Sequence, residues 1–190
     1  MKLIVTILMA CSAGTAFAQQ PAAPPKAPAG PGLTMTTTAF QDGAIVPNRY
    51  TMSDPNAVSP KLEWTNVPAG VVSFALIMHD PDTAPGKKAE DILHWMAFNI
   101  PGTATGLPEG VPAGTATLPD GTIQAKNLRG AAGYMGPGAG AAGPYHHYTW
   151  ELFALDTKLS LGPDATRAEV LAAMDGHVVA KAALVGRFHR

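Results

Sequence analysis

Residues 71–85 read VVSFALIMHDPDTAP. Val71 to His79 is apolar on both faces of an extended chain, which is expected of a central strand that is covered on both sides. The run closes at Asp80 in a turn of aspartates and prolines, which are ordinary turn residues. Alternate residues share one face of a strand, so the Asp80 carboxylate would end the same buried row as Met78. A buried charge needs a partner, and the pattern therefore marks Asp80 as a candidate site residue.

Short segments rich in Val, Ile, Thr, Phe and Trp flank this central run. Each is bounded by Gly, Pro, Asp or Asn, as strands usually are. The further predicted strands cover residues 33–40, 61–67, 94–100, 122–126 and 146–155. We therefore expect a mainly β domain in which sheets pack on each other in a sandwich-like arrangement, with one or two peripheral helices.

The clearest helix lies near the C-terminus. Thr166 and Glu169 have the spacing of a capping box, in which each side chain accepts from the other residue's backbone amide. The run EVLAAM then ends before Gly176, a residue typical of helix C-termini. Residues 178–188 alternate poorly, and we expect the end of a helix followed by a strand there.

A histidine opens the predicted strand at residues 94–100. By alternation His94 would share a face with Met96 and Phe98. A lone histidine beside apolar residues is more often a core residue than a functional group. His94 becomes a candidate because other polar side chains accompany it.

Those side chains come from the strand at residues 146–155. His146 and Tyr148 would point the same way, about 7 Å apart along the strand. His147 would point to the opposite face and lie at the surface. Together with Asp80 and His94, His146 and Tyr148 are the predicted site residues.

A glycine-rich segment, GAAGYMGPGAGAAGP at residues 130–144, directly precedes this strand. It lacks the Gly-Lys-Ser/Thr of a nucleotide-binding P-loop and is not followed by a helix. Two interpretations stay open. The segment is either a floppy hairpin connection or a loop whose backbone amides approach a ligand because no side chains intervene.

Three ordered motifs, HDPDTAP at residues 79–85, HWMAFNIP at 94–101 and KNLRGAAGYMGPG…YHHYTWELFALD at 126–156, resemble the phosphatidylethanolamine-binding protein (PEBP) family, in its bacterial Raf-kinase-inhibitor-like branch. The segments SPKLEWTNVP and TRAEVLAAMDGHVVAKAALVGRF also fit, so the resemblance covers nearly the whole domain. It implies a sandwich-like pair of sheets with peripheral helices. It also implies a small anion pocket lined by Asp80, His94, His146 and Tyr148.

The chain departs from the family pattern in two places. The glycine-rich loop lacks the usual proline-rich pair, and a histidine, His147, stands where the family triplet His-Arg-Tyr has arginine. We therefore expect a more mobile pocket rim, and the loss of any salt bridge that the arginine makes in relatives.

The chemistry of these side chains leaves more than one function open. Two imidazoles and a phenol can donate hydrogen bonds to phosphoryl or carboxylate oxygens, and an imidazole can become charged near neutral pH. We expect a binding protein for a small phosphorylated or acidic ligand, with no cofactor and no catalytic activity. The alternatives are an inhibitor or modulator of a partner protein such as a protease, and a metal-dependent enzyme that uses two histidines and one aspartate.

The first 32 residues have a composition unlike the rest of the chain. Met1-Lys2, an apolar run and Ala16-Phe17-Ala18 have the layout of a secretory signal peptide over residues 1–18. A Pro/Ala-rich linker at 19–32 would then precede the PEBP-like domain at 33–190. A competing interpretation is a lipoprotein signal that ends at Cys11. We expect a periplasmic or secreted protein, without an integral membrane segment after cleavage.

Composition limits the remaining function classes. The chain of 190 residues has 13 basic and 14 acidic side chains and a net charge of −1. Without a cluster of Lys or Arg it lacks the basic surface that nucleic-acid binding requires. Its single cysteine, Cys11, lies in the predicted signal peptide, which argues against cysteine catalysis and cysteine-bound zinc.

Overall fold

The computed structural model describes residues 31–190, which form two antiparallel sheets and one α-helix. The strands, in chain order, are β1 (Thr34–Thr36), β2 (Leu62–Thr65), β3 (Ser73–Asp80), β4 (Ile92–Pro101), β5 (Gly106–Leu107), β6 (Ile123–Gln124), β7 (His146–Leu155) and β8 (Val178–Phe188). The helix α1 spans Arg167–Met174, and single 3-10 turns lie at Asn48–Tyr50 and Pro85–Lys87. The signal peptide predicted at residues 1–18 lies outside the described residues, as does nearly all of the linker predicted at 19–32.

The larger sheet has the strand order β6-β4-β3-β7-β8, and the smaller one has the order β1-β2-β5. The predicted central strand is therefore confirmed, because β3 pairs with β4 on one side and with β7 on the other. Its side chains are buried on both faces except at His79, which is partly exposed.

Two hydrophobic clusters cover the two faces of the larger sheet. One fills the space between the sheets and contains Phe74, Leu76, Trp95 and Trp150. The other lies beneath α1, whose Val170 and Met174 are buried with Ala75, Ile77, Met96 and Phe98. Each fully buried large apolar side chain contributes roughly 1.5–3 kcal/mol of transfer free energy, so the larger sheet is held from both sides. The mainly β fold with packed sheets is as predicted.

The helix begins at the predicted capping box. The Thr166 hydroxyl accepts from the Glu169 amide, and the Glu169 carboxylate accepts from the Thr166 amide at 2.8 Å. The expectation of a helix end within residues 178–188 is wrong, because the whole segment is β8, which pairs with β7 along its length. The helix ends earlier, at Met174, and Gly176 reverses the chain with a φ of +82°.

Several other predicted strands are shorter than expected. Only Thr34–Thr36 of the segment 33–40 and Ile123–Gln124 of the segment 122–126 pair as strands. The two-residue strand β5 carries no strand signal in the sequence, and its Gly106 is required by packing, since a Cβ there would lie 2.3 Å from the Leu62 carbonyl oxygen. Within residues 31–190, no helix has the length and apolar character needed to cross a bilayer.

Candidate functional site

The four predicted site residues line one cavity at the end of β3, with a volume of about 230 Å³. Asp80 is the last residue of β3, and His94 lies near the start of β4. His146 and Tyr148 are the first and third residues of β7. Ligand-binding cavities for drug-sized molecules measure about 300–1,000 Å³, so this cavity suits a smaller group.

Asp80 is almost fully buried, with 2% of its surface exposed, and each carboxylate oxygen accepts one hydrogen bond. Oδ1 accepts from the Asp82 amide at 3.0 Å, which closes the turn after β3. Oδ2 accepts from Nδ1 of His146 at 2.8 Å. The carboxylate therefore fixes the orientation of the His146 ring and leaves its Nε2 as the free ring nitrogen.

His94 reaches the cavity through a β-bulge. Met78 and His79 of β3 pair with Trp95 and Leu93 of β4, so His94 is an extra residue without a partner in β3. The irregularity places His94 and Trp95 on the same side of the sheet, since a bulge sets two residues of one strand against one of its neighbour. The His94 ring consequently contacts Tyr148 edge to face, with ring centroids 5.1 Å apart.

The expectation that His94 shares a face with Met96 and Phe98 is wrong for the same reason. Those two side chains belong to the cluster beneath α1, on the far side of the sheet. Without the bulge, alternation would place His94 on that far side, away from Asp80.

The environment of His94 favours a neutral ring. Its Nδ1 donates to the carbonyl oxygen of Met135 at 2.9 Å, and only 4% of the residue is exposed. Burial lowers the pKa of His94, outweighing the carbonyl contacts and the Asp80 charge, which act in the opposite direction. Since a carbonyl only accepts, Nδ1 carries the proton, and Nε2 of the neutral ring is an acceptor. We expected both imidazoles to donate to a ligand. For His94 this would require a second proton on Nε2, which burial of the ring disfavours.

Tyr148 is oriented by the glycine-rich segment. Its hydroxyl oxygen accepts from the Gly138 amide at 3.0 Å and from the Ala139 amide at 2.9 Å. A hydroxyl has two acceptor positions and one proton, so the remaining function of this group is to donate. Burial raises the pKa of Tyr148 to about 12, so the proton stays in place at neutral pH.

These contacts give residues 130–144 a role that neither of the two interpretations included. The two amides nearest the cavity, at Gly138 and Ala139, are engaged with Tyr148 and are not free to bind a ligand. The loop positions a site residue instead. Close packing explains part of its glycine content, because a Cβ at Gly136 would lie 2.6 Å from the Tyr50 carbonyl oxygen.

The remaining wall of the cavity is mostly apolar, and its polar side chains are Thr83, whose hydroxyl donates to the Asp80 carbonyl oxygen, and one guanidinium. Arg129, which the sequence analysis did not single out, lines the cavity, and its charge contributes to the lowered pKa of His94. Within residues 31–190, no carboxylate lies within salt-bridge distance of Arg129. Its place in the motif KNLRG, directly before the glycine-rich segment, is the signal that could have found it.

His147 lies outside the cavity, as its position in the strand predicts. Its side chain is 52% exposed, and its Nδ1 contacts Oδ2 of Asp82 at 2.9 Å. The Asp82 carboxylate also accepts from the His147 amide at 2.6 Å. A histidine–carboxylate contact is therefore present at this position although histidine replaces the arginine of the family pattern.

The proposed set of metal ligands is already engaged in other contacts. Each oxygen of Asp80 accepts one hydrogen bond from within the protein, and the Nδ1 atoms of His94 and His146 are engaged with Met135 and Asp80. Within residues 31–190, no three His, Cys, Asp or Glu side chains are grouped so as to hold a metal ion.

A second polar cluster lies on the opposite face of β3. His79 is 13% exposed at its side chain, and its ring nitrogens lie 2.6 Å from Asp91 and 3.4 Å from Glu151. Asp91 also pairs with Arg167 at the start of α1. Contact with the two carboxylates raises the pKa of His79, against the opposing effect of burial.

The sequence and the fold were compared with those of known proteins. The family model described as phosphatidylethanolamine-binding protein matches residues 36–189. A protein of Methanothermobacter thermautotrophicus designated UPF0098 is 44% identical over 158 residues, which cover 83% of this chain and 99% of that protein. The lipoprotein LppC of Mycobacterium tuberculosis strain H37Rv is 34% identical over 163 residues, which cover 85% of this chain and 75% of that protein.

Two crystal structures have a similar fold. The PEBP homologue CT736 of Chlamydia trachomatis has a TM-score of 0.71 and 30% identity, covering 84% of this chain and 98% of that one. YbcL of Escherichia coli, described as a member of the mammalian PEBP family, has a TM-score of 0.72 and 28% identity, covering 84% of this chain and 99% of that one.

Proposed function

The chain belongs to the phosphatidylethanolamine-binding protein family, and from that premise we propose that it binds a small ligand through a phosphoryl or carboxyl group in the cavity lined by Asp80, His94, His146 and Tyr148. The observation that carries the proposal is the convergence of these four side chains on one cavity of about 230 Å³. Three separate strands and a bulge are needed to bring them together.

Three of these residues and Arg129 have different tasks in this proposal. Tyr148 donates its hydroxyl proton to a ligand oxygen, because both acceptor positions of that hydroxyl are filled. A doubly protonated His146 donates from Nε2 while its Nδ1 stays bonded to the Asp80 carboxylate, which fixes the orientation of the ring. Arg129 adds a positive charge at the cavity wall. Asp80 acts through His146 and is a positioning residue.

Calorimetric titration with phosphoethanolamine at pH 6 tests the proposal. We expect His146→Ala to weaken binding about ten- to a hundredfold, the equivalent of one charge-assisted hydrogen bond of about 1.5–3 kcal/mol. His147→Ala is the matched control, since the neighbouring ring has the same contact with an aspartate but lies outside the cavity. Equal weakening by both substitutions, or no binding to the unmodified protein at millimolar ligand, would contradict the proposal.

We further propose that the protein acts outside the cytoplasm. The proposal is supported by the signal-peptide layout of residues 1–18 and by the relative that is named a lipoprotein. The intact mass of the protein from its native host tests it. A chain beginning at Gln19 supports export, a diacylglyceryl group on Cys11 supports the lipoprotein form, and an uncleaved chain contradicts both.

A further inference from the structure

We infer that the cavity selects a phosphoryl group that still carries a proton, and that it therefore prefers a phosphomonoester to a phosphodiester. The inference rests on the proposed function and specifies its ligand class. Its basis is the hydrogen bonding of His94 and Tyr148, which together line one wall of the cavity.

His94 presents a lone pair to the cavity. Its Nδ1 must carry the ring proton, because the partner is the Met135 carbonyl oxygen. No group within residues 31–190 forms a hydrogen bond with Nε2, and this nitrogen is not among the buried polar atoms that lack a partner. Nε2 of the neutral ring is therefore an accessible acceptor that can bind a donor group of the ligand.

The charged and titratable groups around His94 come from three parts of the fold. Asp80 at the end of β3 favours a protonated His94, whereas Arg129 disfavours it. On β7, His146 is engaged with Asp80 and Tyr148 is a neutral phenol. Burial has a larger effect than any of these, and the ring stays neutral in the empty cavity at pH 7.

Beside this acceptor stands one donor. The Tyr148 hydroxyl acts as a donor, because the Gly138 and Ala139 amides fill its acceptor positions, and a ligand oxygen competes for its proton with the nearby Asp80 carboxylate. A singly protonated phosphoryl group matches both neighbours, since one oxygen accepts from Tyr148 while a P–OH group donates to Nε2 of His94. A phosphomonoester has its second pKa near 6 and supplies this form by taking up one proton from solvent.

Two related groups lack the matching proton. A phosphodiester anion has no P–OH, and an ionised carboxylate has no O–H at neutral pH. Either one would set an oxygen lone pair against the lone pair of His94, or would require that the buried ring be protonated. Leaving a buried polar group unpaired in this way is a strong source of discrimination.

The test compares phosphoethanolamine with glycerophosphoethanolamine, which have the same ethanolamine group but differ in ester number. Calorimetry on the full chain at pH 6.5 should show the monoester binding at least about tenfold more tightly, as one lost charge-assisted hydrogen bond implies. At pH 8, titrations in two buffers of different ionisation enthalpy should show uptake of at least one proton for each monoester bound. This second measurement depends on no variant.

His94→Gln separates the role of the proton from the bulk of the diester. A glutamine amide can present either a donor or an acceptor, so the preference for the monoester should fall to about one. A preference that persists in His94→Gln, or equal binding of the two esters without proton uptake, would overturn the inference and leave the proposed function standing. Failure of both esters to bind would instead overturn the proposed function.

Discussion

His79 and Asp80 are consecutive residues of β3 whose side chains leave opposite faces of the larger sheet. Asp80 contacts His146 at the candidate site, whereas His79 contacts Asp91 and, through it, the start of α1. A histidine–carboxylate contact therefore anchors each end of the segment between Asp80 and Asp91. This segment includes Thr83 of the cavity wall.

The His79 contacts should stabilise the fold in acid more than in base. Because the pKa of His79 is raised, its contribution to the free energy of unfolding is complete below about pH 6.5 and is lost as the pH rises through the folded-state pKa. The pKa values of Asp91 and Glu151 are lowered, so both carboxylates remain charged at pH 5.5. Urea unfolding should show that His79→Gln costs roughly 1–3 kcal/mol more at pH 5.5 than at pH 9.

His177 provides the control for this measurement. It contacts Asp156 at 2.8 Å, but both side chains are about half exposed, at 48% and 46%. Exposed pairs contribute little, so His177→Gln should have nearly the same small cost at both pH values. A cost for His79→Gln that is flat or increases with pH would contradict the assignment.

Asp80 should be needed for ligand binding although we expect it not to touch the ligand. Asp80→Asn removes the charge beside His146 and should reduce the affinity for phosphoethanolamine about tenfold, since hydrogen bonds to charged groups are worth about 1.5–3 kcal/mol. Asp82→Asn is the matched control, because Asp82 forms a similar contact with His147 outside the cavity. Calorimetry in which Asp82→Asn has the larger effect would show that the wrong histidine has been placed in the site.

Tyr148→Phe should loosen the glycine-rich segment as well as weaken binding. The ring remains, but the Gly138 and Ala139 amides lose their acceptor, at a cost of about 1–3 kcal/mol for each buried unpaired group. Hydrogen exchange of these two amides should accelerate. Tyr145→Phe, at a tyrosine that is 43% exposed, should change neither exchange rate. Unchanged exchange in Tyr148→Phe would contradict the role given to its hydroxyl.

Asn99 should be essential to a second register shift in β4, which lies between the pairs Phe74–Ile100 and Leu76–Ala97. It has a φ of +57°, and its side chain forms hydrogen bonds of 2.9 and 2.8 Å with the backbone of Leu159. Asn99→Ala should destabilise the protein by about 2–4 kcal/mol in urea unfolding. Asn66 has the same φ on the surface, so Asn66→Ala should cost only about 1 kcal/mol. Equal losses would show that the Leu159 contacts contribute nothing.

Local pattern was enough to predict the central strand, the strand at residues 146–155 and the capped helix. Each has a signal within its own residues, such as the apolar run before Asp80 or the spacing of Thr166 and Glu169. The short strand β5 has no such signal, because Gly106 and Leu107 are extended only through pairing with β2. The burial of β8 alternates, but apolar residues such as Val178, Val179 and Ala183 occupy its exposed positions, so the sequence shows little polar–apolar alternation.

The four site residues could be selected from the sequence, but the reason that His94 joins them could not. Alternation places His94 with Met96 and Phe98, and only the bulge opposite Met78 and His79 turns it toward Asp80. A bulge depends on the register between two strands, which a single strand does not encode. The position of the ring proton of His94 could not be predicted from the sequence either, since it depends on the Met135 carbonyl, 41 positions along the chain.

The central claim is that His94 and His146 meet one phosphoryl group in one cavity. The most direct measurement is nitrogen-15 NMR of the histidine rings of the full chain while inorganic phosphate is added at pH 6.5, with signals assigned from His→Gln variants. The account predicts that the Nε2 signals of His94 and His146 shift with one common dissociation constant, while those of His147 and His177 stay in place. Shifts of all four rings together, or no shift at His94 and His146 at millimolar phosphate, would contradict it.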